Sequence, residues 1–371
     1  MERKIKVLQL FTIMNRGGAE TNIMNYYRKL DQSKFQFDFI VHRQTVAPYD
    51  NEIIALGGKI TRFLPFNPFK TKAYKKQISD FFDKNQYDII HGNCSELGYY
   101  IYKEAYSRKI PVVIAHAHNS TDGWNLKSPF RWYYKNKMRP FVNTYFSCGY
   151  EASIWLFGKK DAEKAFILNN AIDVNTFRFE ENKSFKIREK LDCQNTTNFL
   201  HVGRFNKQKN HSFMIDVFAA LLKINPNVKL FLVGEGELKQ KIIDKVASLK
   251  ISENVVFLGS RNDVNEIAQA MDYYLFPSLF EGLPVSLVEA QAAGLKCFIS
   301  DGVPEESILI SENVQVLSLK KSANEWAKEI SENMNHTKTD VSQTIIDKNF
   351  DINANVVILE NKYAELLKAN S

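Results

Sequence analysis

"IKVLQLFTIMNRGGAETNIMNYYRKL" runs from Ile5 to Leu30 and sets the pattern for the whole chain. Ile5–Phe11 is a short apolar run that reads as a strand. From Gly17 the spacing changes, and Ile23, Met24, Tyr27 and Leu30 fall on one face of a helix. Strand–helix alternation calls for parallel strands joined by crossover helices. The alternation continues through "FQFDFIV" (Phe35–Val41), "YDIIHG" (Tyr87–Gly92), "IPVVIAHAH" (Ile110–His118) and "NTYFSCG" (Asn143–Gly149). A polar stretch, Glu180 to Asn198, follows and reads as a linker. A second series then begins: "NFLHVG", "NVKLFLVG", "NVVFLG", "YYLFPS" and "KCFIS". The expected fold class is α/β, with two Rossmann-like domains whose parallel sheets face a central cleft. The expected boundaries are 1–180 and 181–349, with 350–371 as a C-terminal helix packing back on the first domain. In open sheets of this kind ligands bind beyond the carboxyl ends of the strands. A shared site in the cleft is the expectation, so strand-exit loops are where functional residues are sought.

Size and composition agree. The 371 residues exceed one typical core. A hydrophobic share of 44% and a charged share of 25% are ordinary for a soluble globular protein. No apolar run is long enough to span a bilayer. The basic N-terminus, interrupted by Gln9 and Thr12, reads as a first strand rather than a signal peptide. Cys94, Cys148, Cys193 and Cys297 are far apart, suggesting neither a zinc site nor a disulfide framework, and they fit a reducing cytoplasm. The net charge of +7 is uneven: residues 1–170 carry 26 basic against 15 acidic side chains, leaving 23 against 27 in the rest. A basic first half suggests an anionic partner.

Four stretches carry candidate chemistry. "GRFNKQKN" (Gly203–Asn210) leaves the first strand of the second series. Arg204 as a fork and Lys209 as a point charge are placed to meet a phosphate, although the loop also reads as a solvated basic turn. "NRGGAE" (Asn15–Glu20) puts Gly17 and Gly18 at a helix start, where backbone N–H groups bind anions; plain turns also use such pairs. It is not a dinucleotide fingerprint, and no phosphate-loop pattern occurs. "VGEGEL" (Val233–Leu238) places Gly234 and Gly236 where a flat group could approach, or where a tight turn is needed. "LFEGLPVSLVEAQAAGL" (Leu279–Leu295) starts a helix at Pro284 and stops it at Gly294. Glu281 then lies before that helix and Glu289 inside it, as two hydrogen-bond acceptors or two surface charges.

Taken in order, G-R-x-x-x-Q-K-N, G-E-G-x-L and E-G-x-P-x-S-x-x-E-A-x-A-x-G resemble the retaining glycosyltransferases of family 4, which have the GT-B fold. "NRGGAETNIMNYYRKLD", "AHAHNS" and "NNAIDVNTF" resemble in particular the bacterial exopolysaccharide and capsular polysaccharide transferases. The resemblance covers nearly the whole chain. It implies a hexosyltransferase moving a sugar from a nucleotide-sugar, usually a UDP-sugar, to a lipid-linked or other oligosaccharide acceptor. Arg204 and Lys209 would neutralise the diphosphate, Glu289 would bind the ribose and Glu281 the transferred sugar. Backbone near Gly282, Leu283, Gly17 and Gly18 would approach the sugar and phosphates, and Arg261 would lie near the base. His116 or His118, at a strand end, would stand near the acceptor and reacting sugar; His91 is a weaker candidate. A front-face reaction through an oxocarbenium-like ion pair is implied, with no cofactor. The absence of D-x-D agrees with independence of metal. "NAID" (Asn170–Asp173) departs from the Asn-Gly-Ile-Asp turn of many relatives, so the turn at Ala171 is expected to differ slightly.

"KSPFRWYYKNKMRPF" (Lys127–Phe141) holds five basic residues and no acidic one. Lys127, Arg131, Lys135 and Arg139 recur every four residues, with Phe130, Tyr134 and Met138 on a neighbouring face. That pattern suits a helix lying on an anionic leaflet, or a core-packing helix with a solvated basic face. With "KTKAYKK" (Lys70–Lys76) it favours peripheral contact with the cytoplasmic face of the membrane. Nucleic acid is not expected, since no binding motif for it is present. The rival functions are a sugar-nucleotide epimerase on the same fold and a non-catalytic, membrane-associated partner of a polysaccharide assembly.

Overall fold

Strands rich in Val, Ile, Leu and Phe with both faces apolar belong in parallel sheets covered by helices on each side. The computed structural model, which describes residues 3–66, 71–119 and 128–370, contains two such sheets. Lys70, Ser120 and Lys127 of the motifs above lie outside these residues. The first sheet comprises β1 (Ile5–Phe11), β2 (Phe35–Val41), β3 (Ile60–Arg62), β4 (Ile89–Gly92), β5 (Val112–Ala117), β6 (Thr144–Ser147) and β7 (Phe166–Ile167). Its order is β3-β2-β1-β4-β5-β6-β7, with every pairing parallel. The second comprises β8 (Thr197–Val202), β9 (Val228–Val233), β10 (Val255–Gly259), β11 (Tyr273–Phe276), β12 (Lys296–Ser300) and β13 (Val314–Leu317). Its order is β10-β9-β8-β11-β12-β13, again parallel throughout.

The chain divides into two compact units, Met1–Ala171 with Ile352–Ser371, and Ile172–Asp351. These divisions replace the expected ones at 180/181 and 349/350. The polar stretch read as a linker is in part a helix, Glu181–Lys190, inside unit 2. The segment before it is tied to unit 2 by Gln269, whose amide donates to the carbonyls of Phe177 and Arg178.

Unit 1 has a core of Val7, Phe37, Phe39, Ile89, Ile114 and Phe146, closed by the first helix, Gly18–Lys29, and by the terminal helix, Ile352–Asn370. Ile352, Val356, Leu359 and Tyr363 supply the terminal helix's apolar stripe. The turn at Ala171 is held from the first helix: Asn25 donates to the Ala171 carbonyl (3.0 Å) and Tyr26 to that of Asn169 (2.8 Å). In unit 2, consecutive residues of each strand feed opposite faces. Phe199, Leu230, Leu275 and Phe298 pack with the helices His211–Ile224 and Ala323–Glu332. Leu200, Phe231, Tyr274 and Cys297 pack with the helices Val264–Ala270 and Val285–Ala292. Among the described residues no helix is long and apolar enough to cross a membrane.

The helix Ser128–Met138 uses its apolar face differently from the leaflet reading. Phe130 and Tyr134 pack on Phe66, Tyr134 also on Tyr99, and Met138 is buried. The stripe Phe130–Tyr134–Met138 is therefore part of the unit's own packing. Lys135 is turned onto Trp155, donating to its carbonyl with the ammonium 4.4 Å from its ring centroid. The face left in solvent carries Trp132 (68% exposed), Tyr133 (49%) and Lys137, whose ammonium sits 5.5 Å over the Tyr133 ring.

Candidate functional site

Sheet order decides which loops of unit 2 meet. β8 and β11 are neighbours, and the order reverses between them. In open parallel sheets ligands bind beyond the strand ends at such a switch point. The loops flanking it are Gly203–Asn210 after β8 and Pro277–Pro284 after β11, the two motif-bearing stretches.

The two loops are sewn together. Leu279 N–H donates to the Gln208 carbonyl (2.8 Å), Gln208 Nε2 to the Phe280 carbonyl (3.0 Å), and Asn210 Nδ2 to the Pro277 carbonyl (3.1 Å). Asn210 stands in the left-handed region (φ 55°), which Asn tolerates, immediately before the helix His211–Ile224. Within this frame Lys209 Nζ lies 2.7 Å from Glu281 Oε1, and the two side chains are only 15% and 6% exposed. The Lys209 ammonium also sits 4.5 Å over the Phe276 ring, and Gln208 Nε2 reaches Glu281 Oε2 at 3.3 Å. The structure thus pairs two residues that the sequence reading assigned to separate parts of a ligand. Arg204, from the same loop, is exposed and has no ion-pair partner among the described residues.

Pro284 caps the helix Val285–Ala292, one residue outside the expected start. Val285, Leu287, Val288 and Ala290 are buried, so Ser286 and Glu289, three apart on one face, are the helix residues that reach solvent. Ser286 Oγ is 3.0 Å from the Tyr274 hydroxyl, which donates to the Val202 carbonyl at the end of β8. Gly282 and Leu283 are buried ahead of the helix start, whose first N–H groups have no partner within the helix. Glu281 therefore belongs to a buried ion pair on the loop, and Glu289 to a half-buried helix face.

Gly234 and Gly236 bring a third loop against the first. A Cβ on Gly234, whose φ is 143°, would lie 2.0 Å from the Gly203 carbonyl oxygen; one on Gly236 would lie 2.4 Å from that of Phe205. Phe205 N–H donates to the Glu235 carbonyl and Leu238 N–H to the Phe205 carbonyl, both at 3.0 Å. The pair thus serves close packing of backbone on backbone. Arg261 forks onto Asp263, at 2.8 Å and 2.5 Å, just ahead of the helix Val264–Ala270.

In unit 1 the reversal lies between β1 and β4. Gly17 caps the first helix, and a Cβ on Gly18 would meet nothing within 4 Å. Gly18 therefore leaves open backbone at a helix N-terminus. His91 lies in β4, His116 near the end of β5 and His118 just beyond it. His91 Nδ1 lies 2.6 Å from the Tyr363 hydroxyl and its Nε2 lies 2.9 Å from His116 Nδ1. The His116 and His118 rings are 4.0 Å apart, and His118 Nε2 lies 2.8 Å from Asn93 Oδ1. Burial is the main cause of depressed proton affinity throughout: His91 and His118 are each pushed down to about 3, and His116 well below its ordinary value, with His118 adding to the effect on both partners. All three rings are neutral at physiological pH. His116 is fully buried, whereas His118 keeps part of its surface exposed.

Gln208, Asn210, Phe276 and Tyr363 are structural partners that the residue-by-residue reading did not single out. Gln208 and Asn210 lie inside the quoted motif; Tyr363 has no local signal, being 272 residues from its partner His91.

Two family models match, "Glycosyl transferases group 1" over residues 183–347 and "Glycosyltransferase Family 4" over residues 16–175. The chain is 31% identical to the "Putative glycosyltransferase EpsF" of Bacillus subtilis, covering 96% of each chain. It is 27% identical to the "Capsular polysaccharide biosynthesis glycosyltransferase CapH" of Staphylococcus aureus, over 77% of this chain and 78% of that one. It is also 27% identical to a UDP-Gal:alpha-D-GlcNAc-diphosphoundecaprenol alpha-1,3-galactosyltransferase of Escherichia coli, over 59% of each. In fold it matches Anabaena HepE, solved with UDP and glucose, with a TM-score of 0.80 over 97% of this chain and 99% of that one at 17% identity. The order of motifs, the two doubly wound sheets and these relatives agree: the chain belongs to glycosyltransferase family 4, has the GT-B fold, and is a glycosyltransferase of polysaccharide biosynthesis.

Proposed function

We propose that the enzyme moves one sugar from a UDP-sugar to a lipid-linked glycan, with retention of configuration and without a metal ion, at the inner face of the cell membrane. The observation that carries this reading is the cationic crevice at the switch point of unit 2. There the exposed Arg204, the Lys209–Glu281 pair and a helix start converge on one strand edge. A diphosphate leaving group needs charge stabilisation where its negative charge grows. Arg204 can grip a phosphate with its planar fork. Lys209 has three donors, so it can keep Glu281 and still serve a phosphate oxygen. Glu281, held from two sides by Lys209 and Gln208, is positioned for sugar hydroxyls, and the half-buried Glu289 for the ribose. In the front-face step, the bond from the anomeric carbon to the phosphate oxygen breaks and the bond to the acceptor oxygen forms on the same side. The acceptor's proton passes to the leaving phosphate. The protein's work is then positioning and electrostatics. The UDP-linked donor also finds support in the UDP named for HepE and in the donor of the Escherichia coli relative.

The lipid carrier is supported by that relative's diphosphoundecaprenol acceptor and by the basic unit 1. Membrane contact is assigned to Trp132, Tyr133 and Lys137, because an exposed Trp–Tyr pair beside a cation suits the headgroup region. Replacing Trp132 and Tyr133 with Ser together is expected to reduce sedimentation with vesicles containing anionic lipid about tenfold. UDP affinity should not change. Undiminished sedimentation would remove this face from the proposal.

The reading as a whole is tested by incubating the protein with radiolabelled UDP-sugars and lipid extract, with and without EDTA. Transfer that survives EDTA is expected; absence of both transfer and UDP binding would sink it. Arg204→Ala is expected to weaken UDP binding about 10- to 100-fold by calorimetry, corresponding to about 1.4–2.8 kcal/mol. Its melting temperature should stay put, since the side chain is exposed and unpaired. Unchanged UDP affinity would take Arg204 off the diphosphate. The epimerase reading is not favoured, since the relatives above are transferases.

A further inference from the structure

The Lys209 ammonium is held on two sides by different chemistry. On one side Glu281 Oε1 accepts from Nζ at 2.7 Å. On another lies the Phe276 ring, with its centroid 4.5 Å from Nζ. Phe276 ends β11 and Lys209 belongs to the loop after β8, so the neighbouring strands at the sheet's reversal bring the two together. The ring is fully buried and fixed by other rings: Tyr274 stacks with it at 5.4 Å between centroids and His201 at 5.7 Å. His201 Nδ1 lies 2.9 Å from the Leu275 carbonyl and so carries the proton of a neutral ring. Burial above all, then His211 and Lys209, keeps a second proton off it. The positive charge against these rings is therefore that of Lys209. Its stem is fixed separately, packed so close to Gly203 that a Cβ there would come within 3.2 Å of Lys209 Cε.

An ammonium has three N–H donors. When buried, it must replace the water it loses on every side. A carbonyl or second carboxylate in the place of Phe276 would consume another donor. An aliphatic side chain there would leave that side uncompensated. An aromatic face attracts the cation through its quadrupole without engaging one proton in a fixed direction.

We propose that Phe276 is a positioning residue for donor binding: its ring face holds the Lys209 ammonium in the crevice while leaving one N–H available to a phosphate oxygen of the donor. This rests on the reading that Lys209 meets the diphosphate. Gly203 fixes the stem of Lys209 and Phe276 its tip. Without the ring's attraction the tip is drawn toward solvent, and the donor must recover its order on binding. Donor affinity then falls.

Fluorination tests this without emptying the site, because fluorine withdraws charge from the ring face and changes the ring's shape little. The full chain, carrying phenylalanine with one, two or three ring fluorines in place of Phe276, is titrated with UDP by calorimetry. Affinity should fall with each added fluorine, by about three- to tenfold for the trifluorinated ring. Phe276→Leu, which keeps the side chain apolar, should lose about as much. In a Lys209→Met background the same fluorines should leave the residual UDP affinity unchanged, since the cation they act on is gone. If Lys209→Met alone leaves UDP affinity intact, the reading of Lys209 fails, whatever fluorination does. If Lys209→Met weakens binding but the trifluorinated ring does not, the positioning role of Phe276 is overturned. A fluorine effect of equal size with and without Lys209 would trace it to packing against Tyr274 and His201, and would overturn that role as well.

Discussion

Glu281→Ala is expected to unfold unit 2 more readily, by on the order of 3–5 kcal/mol, as well as to abolish transfer. The reason is the burial of its partner. Lys209 is only 15% exposed, and removing Glu281 leaves that ammonium without its counter-charge in a poorly solvated crevice. Gln208 would also lose one of its two acceptors across the loops. The alanine variant therefore measures stability and catalysis together. Glu281→Gln separates them, because the amide oxygen can still accept from Lys209: it should fold, bind UDP normally and turn over slowly. Glu289→Ala, on the half-buried helix face, should mainly weaken donor binding. A Lys209→Met, Glu281→Leu double variant should recover most of the stability lost by Glu281→Ala while remaining inactive. Urea titration of each variant reads the first effect and a donor-hydrolysis assay the second. If Glu281→Ala and Glu281→Gln were equally stable, the ion pair would hold no part of the fold together.

The second large effect is acid sensitivity. His42, His91, His116 and His118 in unit 1, and His201 and His211 in unit 2, all have proton affinities depressed chiefly by burial. The unfolded chain binds protons at these sites near pH 6.5, whereas the folded chain does so only lower, about 3 for His91, His118 and His211. Protonation thus favours unfolding. The stability contributed is fully present above about pH 6.5 and is lost as pH falls through the window toward 3. A histidine whose folded affinity lies far below the window contributes a slope of up to about 1.4 kcal/mol per pH unit, so His91, His116 and His118 together can remove roughly 4 kcal/mol per unit. Denaturant titrations at pH 8.5, 7.5 and 5.5 should show the midpoint nearly steady between the first two and much lower at the third. A midpoint that is the same at 5.5 as at 7.5 would mean that these rings are charged, or already solvated, in the folded protein.

The parallel sheets were legible because their central strands are continuous apolar runs at regular intervals. The strands that the pattern did not reveal are β3, β7 and β13, which are short or half-exposed edges and so lack such runs. The boundary near residue 180 was misplaced for a related reason. The helix Glu181–Lys190 is nearly all polar, with Phe185 61% exposed, so its sequence resembles a linker. At the site, residue types and strand-exit positions were readable, yet the Lys209–Glu281 pair was not, since 72 residues separate the two. Only strand order, with β8 beside β11, brings their loops together. The helix at Ser128–Met138 showed its amphipathic period in the sequence, but a period does not say whether the apolar face meets lipid or the protein's own Phe66 and Tyr99.

Unit 1 is completed by residues that follow all of unit 2 in the chain. On the ribosome this inverts the usual order of maturation. Unit 2 has its full complement of strands and helices while unit 1 still lacks Val356, Leu359 and Tyr363, and the phenylalanines that meet them stay uncovered. The nascent first half must therefore wait, with apolar surface open to chaperones or to other unfinished chains, until the last helix emerges. Synthesis that stalls before Ile352 would release a protein with a finished unit 2 and a sticky, unfinished unit 1.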